Sequence, residues 1–166
     1  MGKVQAVFGN GSPGAITRSV DDIVISVKNA GEDEIAFGTP VFLGAGGAVP
    51  FNTDSPQDFS SFLGFAVRVA DKTPDTYPQD QSGNSQAGAW KPGDVMEVLV
   101  RGGITVVLAA SGTAGGKVYI RKSDGALTAS AGSADSTVLL ENVRIRNSGI
   151  AGESGTEVVV NKRNIL

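Results

Sequence analysis

The stretch Trp90-Lys91-Pro92-Gly93-Asp94, followed by Val95-Met96-Glu97-Val98-Leu99-Val100-Arg101-Gly102-Gly103-Ile104-Thr105-Val106-Val107-Leu108, predicts a tight turn and then two strands joined at a glycine bend. Pro92 fixes φ at about −65° and Gly93 tolerates positive φ, as the two central positions of a type II turn require. Apolar residues alternate along the strands and occupy both faces. We therefore expect a central strand pair, covered on both sides or facing a partner subunit.

The length and composition of the chain limit its architecture. A chain of 166 residues is long enough for one domain with its own core and too short for two ordinary domains. Glycine occurs 23 times, about twice its usual share. Aromatic residues are sparse, with one Trp, two Tyr and seven Phe. This composition indicates many bends and short strands.

Alternating segments separated by turn residues predict seven to nine strands, and no window shows helical periodicity. The predicted strands are Ile23–Lys28, Ile35–Leu43, Phe62–Ala70, Val95–Arg101, Ile104–Leu108, Lys117–Arg121, Ala126–Ala129, Val138–Arg146 and Thr156–Leu166. Pro40 cannot donate to a ladder, so its strand is expected to be an edge or bulged strand. The predicted fold is all-β, a single-domain antiparallel β-sandwich or barrel that is jelly-roll-like, with the strand order open.

The predicted β-domain covers residues 21–166, with an arm before it and a long loop within it. Residues 1–20 predict an extended N-terminal arm, because Gly9-Asn10-Gly11-Ser12-Pro13-Gly14 cannot hold regular structure while the flanking apolar residues need a surface to bury. An arm of this kind often packs on a neighbour. Residues 71–93 predict a long polar loop, and loops of this length are usually functional or mobile.

Two residue types that catalytic and metal sites often use are missing from the sequence. Histidine and cysteine are both absent, which excludes Ser-His-Asp and Cys-His catalysis, disulfides and most metal sites within this chain. We therefore predict no enzymatic activity, no cofactor and no metal. Loop carboxylates leave a hydrolase and a calcium site as alternatives, although their spacing matches no EF-hand. These carboxylates are Asp54, Asp58, Asp71, Asp75 and Asp80.

Charge and hydropathy exclude two classes of partner. The net charge is −3 and the cations are scattered, so we expect no nucleic-acid partner. No run approaches the ~20 apolar residues of a membrane span, so we expect no membrane partner. The lack of cysteine fits synthesis and assembly in a reducing cytosol.

Seven short motifs, taken in order, resemble the structural cement or head-decoration proteins of tailed bacteriophages. They are Gly38–Phe42, Phe62–Arg68, Tyr77-Pro78, Trp90–Asp94, Val98–Val106, Gly116–Ile120 and Val158–Ile165. The resemblance spans most of residues 35–166, and the arm at residues 1–20 matches no part of it. It implies a non-enzymatic virion protein, often a dimer or trimer, that is assembled in the host cytoplasm. Such a protein binds the outer surface of the capsid and bridges neighbouring major capsid proteins.

A clamp of this kind needs an apolar patch with a polar rim, or an edge strand or arm that adds to a partner's sheet. In the arm, we predict that Val4, Val7, Phe8 and Ile16 contact the capsid or a sister subunit. In the loop, we predict the same for Tyr77 and Trp90. Trp90 has two equally open interpretations, an aromatic anchor for a partner and a core residue that closes one end of the barrel.

Three arginines complete the predicted contact set. Arg144 and Arg146 share one strand face, and Arg163 lies near the C-terminal end of the sequence. These side chains are expected either to pair with an acidic partner or to keep a strand soluble. Two other functions remain as alternatives, a tail or baseplate β-module and a carbohydrate-binding β-sandwich. The second alternative usually needs aromatic platforms, and this chain has few aromatic residues.

Overall fold

The computed structural model describes residues 11–17, 21–69, 88–147, 149 and 154–164. Within these ranges the chain forms eleven strands and one short 3-10 turn, Phe59–Ser61. The strands are β1 (Ile23–Lys28), β2 (Ile35–Ala36), β3 (Pro40–Gly44), β4 (Gly47–Pro50), β5 (Phe62–Ala66), β6 (Ala89–Trp90), β7 (Val95–Val107), β8 (Lys117–Arg121), β9 (Leu127–Thr128), β10 (Thr137–Ile145) and β11 (Ser154–Val160). The number exceeds the predicted seven to nine because β4 and β6 were not predicted and because the predicted strand Ile35–Leu43 is divided into β2 and β3.

Nine strands form one antiparallel sheet in the order β4-β3-β5-β7-β11-β10-β8-β9, with β1 paired to β7 beside this path. Strands β2 and β6 form a separate pair. A bridge between Asn29 and Ala48 joins the end of β1 to β4. The sheet therefore curls so that its edge strand β4 approaches β1. The result is an antiparallel half-barrel, and the predicted all-β fold class is confirmed.

The predicted strand pair at residues 95–108 is one strand, β7, of 13 residues. Its first half pairs with β1 and β5, and its second half pairs with β11. In a regular strand Val100 and Ile104 would share a face, but they are buried in different hydrophobic clusters. Gly102, at φ +118, lies between them. The glycine therefore turns the strand over without ending it, which corrects the prediction of two strands.

Two hydrophobic clusters lie on opposite faces of β7, as its apolar residues on both faces predicted. The larger cluster lies between the β3-β5-β7 region and the β8-β10-β11 region, and it contains Phe42, Phe62, Phe65, Leu99 and Ile104. The smaller cluster includes Met96, Val98 and Val100 from β7 together with Ile35, Phe37 and Trp90. The half-barrel is therefore filled on both sides of its central strand.

Two local predictions have clear outcomes. Gly93 has φ +86, and the Asp94 amide donates to the Lys91 carbonyl at 3.0 Å, so the turn predicted at Pro92-Gly93 is confirmed. Pro40 begins β3, which pairs with both β4 and β5. The strand β3 therefore lies inside the sheet, and the predicted edge position is wrong. The predicted bulge is present, as a register shift at Val41/Phe42.

Candidate interaction surfaces

Strand β1 exposes much of its apolar surface to solvent. Ile23 is 36% exposed and Val24 is 37% exposed. Val24 pairs with Leu99 and Lys28 pairs with Val95, so Val24 and Val95 lie on the same face of the β1-β7 pair. Val95 is 68% exposed. We call this surface, formed by Val24, Ser26, Lys28, Val95 and Glu97, the β1 face.

The edge of β1 is a second feature of this region. Among the described residues, β1 pairs along Ile23–Lys28 only with β7, and the bridge from Asn29 to Ala48 of β4 lies just beyond its end. A strand paired on one side presents unpaired N–H and C=O groups on the other, which is the template for strand addition. The β1 face and this edge together offer a partner an apolar patch and main-chain hydrogen bonds.

Trp90 lies in the core and not on the surface. Its side chain is 4% exposed, its Nε1 donates to the Val67 carbonyl at 3.0 Å, and its ring meets Phe37 edge-to-face at 6.1 Å. Its backbone pairs with Ile35 in the β2-β6 pair. A side chain buried to this extent offers a partner almost no surface. The predicted anchor is therefore corrected to the other interpretation, a core residue.

The described part of the arm adds to the sheet of its own chain. The Gly14 amide donates to the Thr105 carbonyl at 2.8 Å, the Thr105 amide to the Ala15 carbonyl at 2.9 Å, and the Thr17 amide to the Gly103 carbonyl at 2.9 Å. Residues 14–17 therefore bond to β7 beyond the residues of β7 that pair with β1. Ile16 bridges to Ile104 through its backbone and keeps its side chain 40% exposed.

One carboxylate, that of Glu157 on β11, holds this part of the arm in place. It accepts hydrogen bonds from the Thr17 hydroxyl at 2.5 Å and from Asn147 Nδ2 at 3.0 Å, and it pairs with Arg146 at 3.3 Å. Glu157 is only 9% exposed, so these polar contacts offset the cost of burying its charge. Arg146, predicted as a partner contact, therefore has a role within its own chain.

We expect Thr17→Val to loosen the arm from β7. The substitution removes a donor from a nearly buried carboxylate, which costs about 1–3 kcal/mol. The amide of Thr105, bonded to the Ala15 carbonyl, should then exchange with solvent deuterium roughly tenfold faster or more. Thr113→Val, at an exposed turn residue, is the matched control. Equal exchange in both variants would show that Glu157 does not hold the arm.

The two remaining predicted arginines lie near the C-terminal tail. Arg144 Nη1 donates to the Glu141 and Val143 carbonyls, at 3.0 Å and 2.8 Å. Arg163 is exposed and lines a groove of about 420 Å³ with Lys162, Asn142 and Phe59 among its other walls. The predicted strand Thr156–Leu166 ends at Val160, and the tail that follows forms one side of this groove.

Sequence reasoning did not identify three residues that shape these surfaces. Glu157 stands beside the apolar run Val158–Val160, and a charge within a buried strand was the available signal for its polar partners. Asn164 donates from Nδ2 to the carbonyls of Phe59 and Phe62, at 2.9 Å and 3.1 Å. Asn142 donates to the Lys162 carbonyl at 2.7 Å. The two asparagines had no local signal, because their partners lie far along the chain.

The loop carboxylates were the source of the hydrolase and calcium alternatives. Asp58 caps the 3-10 turn, and its hydrogen bond from the Ser60 hydroxyl lowers the pKa of this carboxyl below its usual value. A carboxyl with a lowered pKa is poorly suited to act as a general acid at neutral pH. The described residues contain no group of three potential metal ligands. Asp71, Asp75 and Asp80 lie outside the described residues.

The described residues also contain no helix that is long and apolar enough to cross a membrane. Val4, Val7, Phe8 and Tyr77 lie outside the described ranges, so their predicted contacts stay predictions.

Comparison with solved structures supports the architecture. A structure of the capsid of Myoviridae phage XM1 contains a chain that superposes with a TM-score of 0.68 at 18% identity, covering 97% of this chain and 96% of that one. The N base of the head fiber gp8.5 of bacteriophage phi29 matches at a TM-score of 0.42 and 10% identity, covering 87% of this chain and 99% of that chain. At these identities the first likeness shows a shared fold. No curated protein sequence matches the chain.

The fold defines an all-β protein, and the family comparison makes the class specific. The model of the family described as structural cement protein (E217 gp24/Pam3 gp6) matches residues 2–161. The chain belongs to this family of phage structural cement proteins, and the resemblance seen in the sequence is confirmed. Its role is therefore that of a structural protein of the virion.

Proposed function

We propose that this cement protein binds the outer surface of the phage capsid and bridges neighbouring major capsid proteins, stabilising the DNA-filled head without catalysis. Membership of the cement protein family supports the virion role. A capsid filled with DNA is under outward pressure, so a bridging protein must be stiff and present in many copies. A half-barrel filled on both faces of its central strand suits this demand. Many copies on one shell also gain from simultaneous contacts with several neighbours.

The observation that supports the capsid-binding surface is the exposure of β1. Ile23, Val24 and Val95 are partly or largely exposed, although folding normally buries β-branched side chains of this kind. An exposed apolar strand is a liability for a protein in solution unless a partner covers it. We assign the β1 face to the capsid contact, with main-chain pairing along the β1 edge.

We expect Val24→Lys and Val95→Lys to weaken capsid binding by about tenfold or more each, since a charge on the β1 face must be desolvated in the interface. Virions stripped of the protein are mixed with recombinant variants, and occupancy is measured by co-sedimentation and cryo-electron microscopy. Leu43→Lys, at a β3 residue that is 44% exposed, is the matched control and should bind normally.

The position on the virion of the density from the added protein tests the bridging role itself. Wild-type density at regular positions between capsomers would support the proposed bridging role. Density at the tail would favour the tail-module alternative, and no density on the virion would overturn capsid binding. Normal binding by both lysine variants would place the contact elsewhere than on the β1 face.

We also propose that the protein acts as a homo-oligomer, either a dimer or a trimer. A ring of copies would multiply the number of capsid contacts per assembly. Val4, Val7 and Phe8 of the arm and Tyr77 of the loop are proposed to contact the capsid or a sister subunit. Ile16 belongs to the same proposal, because its side chain is exposed beside β7.

A further inference from the structure

Charge is distributed unevenly along this chain. Residues 21–69 contain seven carboxylates and two cations, whereas residues 117–164 contain seven cations and five carboxylates. Opposite charges on two different surfaces of one molecule favour a head-to-tail contact, in which each surface meets its complement on the next copy.

Several cations of the second region already have partners within the chain. Arg121 pairs with Asp124, and Arg146 pairs with Glu157. Lys162 and Arg163 are exposed, and neither forms an ion pair with a described carboxylate. They line the groove of about 420 Å³ together with Glu141 and the side chains of Asn142 and Asn164. We call this site the cationic groove.

Additional positive charge lies beside the cationic groove. Arg144 on β10 is the cross-strand partner of Lys117 on β8. Two cations placed opposite each other on neighbouring strands repel, which destabilises the sheet. The guanidinium of Arg144 donates to two backbone carbonyls, those of Glu141 and Val143, and to no described carboxylate. An anionic partner at this surface would relieve the repulsion.

The walls of the cationic groove are fixed by hydrogen bonds. Asn164 Nδ2 reaches the carbonyls of Phe59, Ser60 and Phe62, and Asn142 Nδ2 reaches the Lys162 carbonyl. Asn142 Oδ1 is buried and has no partner among the described residues. A tail held in this way presents its cations in a set position, so a partner does not have to order them on binding.

Among the described residues, the turn Glu32-Asp33-Glu34 brings together three consecutive carboxylates whose side chains are all exposed. Buried Asn29 supports the turn, donating to the Asp33 carbonyl at 3.1 Å and accepting from the Gly31 amide at 3.1 Å. None of the three carboxylates pairs with a described cation. The turn is short and its three side chains are exposed, so it could enter an open groove lined by cations.

We propose that the cationic groove of one copy receives the acidic turn Glu32-Asp33-Glu34 of a second copy, in a head-to-tail contact. The contact joins different surfaces of the two molecules, so it generates a ring when the rotation between copies closes. This inference rests on the proposed homo-oligomer and identifies the surfaces that form it. It uses none of the residues of the β1 face, so the two proposals are tested on separate residues.

The test reverses the charges on each side separately. Sedimentation velocity is recorded for the wild-type protein and for Lys162→Glu/Arg163→Glu and Glu32→Lys/Asp33→Lys, at low and high ionic strength. We expect each double variant to weaken self-association by about tenfold or more, and salt to weaken that of the wild type. Lys91→Glu/Lys122→Glu and Asp54→Lys/Asp135→Lys change charges outside the proposed surfaces by the same amounts and serve as matched controls.

Mixing the two double variants provides the decisive measurement. Each variant keeps one native surface that fits the other variant, and the two reversed surfaces also fit each other. Association should therefore return in the mixture, a result that a misfolded variant could not give. A wild-type monomer, an oligomer insensitive to both reversals, or a mixture that stays dissociated would each overturn the proposal. Capsid occupancy is measured separately, so these outcomes leave the capsid-binding proposal to its own test.

Discussion

Trp90→Ala is expected to lower the free energy of unfolding by about 3–5 kcal/mol, because it empties the site of a large core side chain. The ring is 4% exposed and packs edge-to-face on Phe37. The substitution also leaves the Val67 carbonyl without the donor that now reaches it at 3.0 Å. Single domains are stable by only 5–15 kcal/mol, so we expect a fall of ~10 °C in the melting temperature.

Trp90→Phe separates the contributions of the ring and the N–H group. It keeps an aromatic ring beside Phe37 and removes the donor to Val67, so its cost should be smaller, about 1–3 kcal/mol. Lys91→Ala, at the exposed neighbouring residue, should change stability by less than about 0.5 kcal/mol. Chemical denaturation of the three variants gives the comparison. If Trp90→Ala kept wild-type stability and lost only capsid binding, the residue would be a partner anchor and the core assignment would be wrong.

The sequence predicted the strands whose burial follows a period of two. In β10, the predicted range Val138–Arg146 differs from the observed Thr137–Ile145 by one residue at each end, because inward and outward residues alternate along most of that strand. The ranges predicted for β1 and β8 match the observed ranges. Local alternation is sufficient in these cases because one face of each strand meets a core or a neighbouring layer.

The sequence could not decide features that depend on distant partners. Gly102 is compatible with either a bend between strands or a face change within one strand, and pairing with β1, β5 and β11 selects the second. The burial of Trp90 follows from its pairing with Ile35, which lies far back along the chain. The arm at residues 14–17 joins β7 mainly through main-chain groups, and main-chain bonding has no signature in side-chain type.

The interaction surfaces were less predictable than the core for a related reason. Arg144 and Arg163 were identified from their charge alone, and their environment depends on how the tail after Val160 meets β10 and the 3-10 turn. Arg146 was grouped with them, although Glu157 pairs with it within the chain. Charge shows that a residue is polar, whereas the fold decides whether its partner is internal.

Gly64→Ala is expected to have the second large effect, because β5 and β7 approach too closely at this point for any side chain. A Cβ at Gly64 would overlap the Leu99 carbonyl oxygen and would lie 2.9 Å from the Leu99 carbonyl carbon and from Val98 Cγ1. The backbone of β7 cannot retreat easily, because β1 pairs with it at the same residues. The overlap could therefore be removed only by separating β5 from β7. Both strands contribute residues to both hydrophobic clusters, so this separation would disturb the packing of both. We expect a loss of about 3 kcal/mol in the free energy of unfolding.

Gly46→Ala is the matched control for this substitution, since both glycines lack a positive φ and the added atom is the same. At Gly46 the nearest atom to a Cβ is the Ala30 Cβ at 3.4 Å, so stability should change by no more than about 0.5 kcal/mol. Denaturant unfolding measures both variants against the wild type. Equal stability of the two variants would mean that the backbones of β5 and β7 lie farther apart at Gly64 than the structure shows. A large difference would show that the half-barrel depends on close strand contact at Gly64.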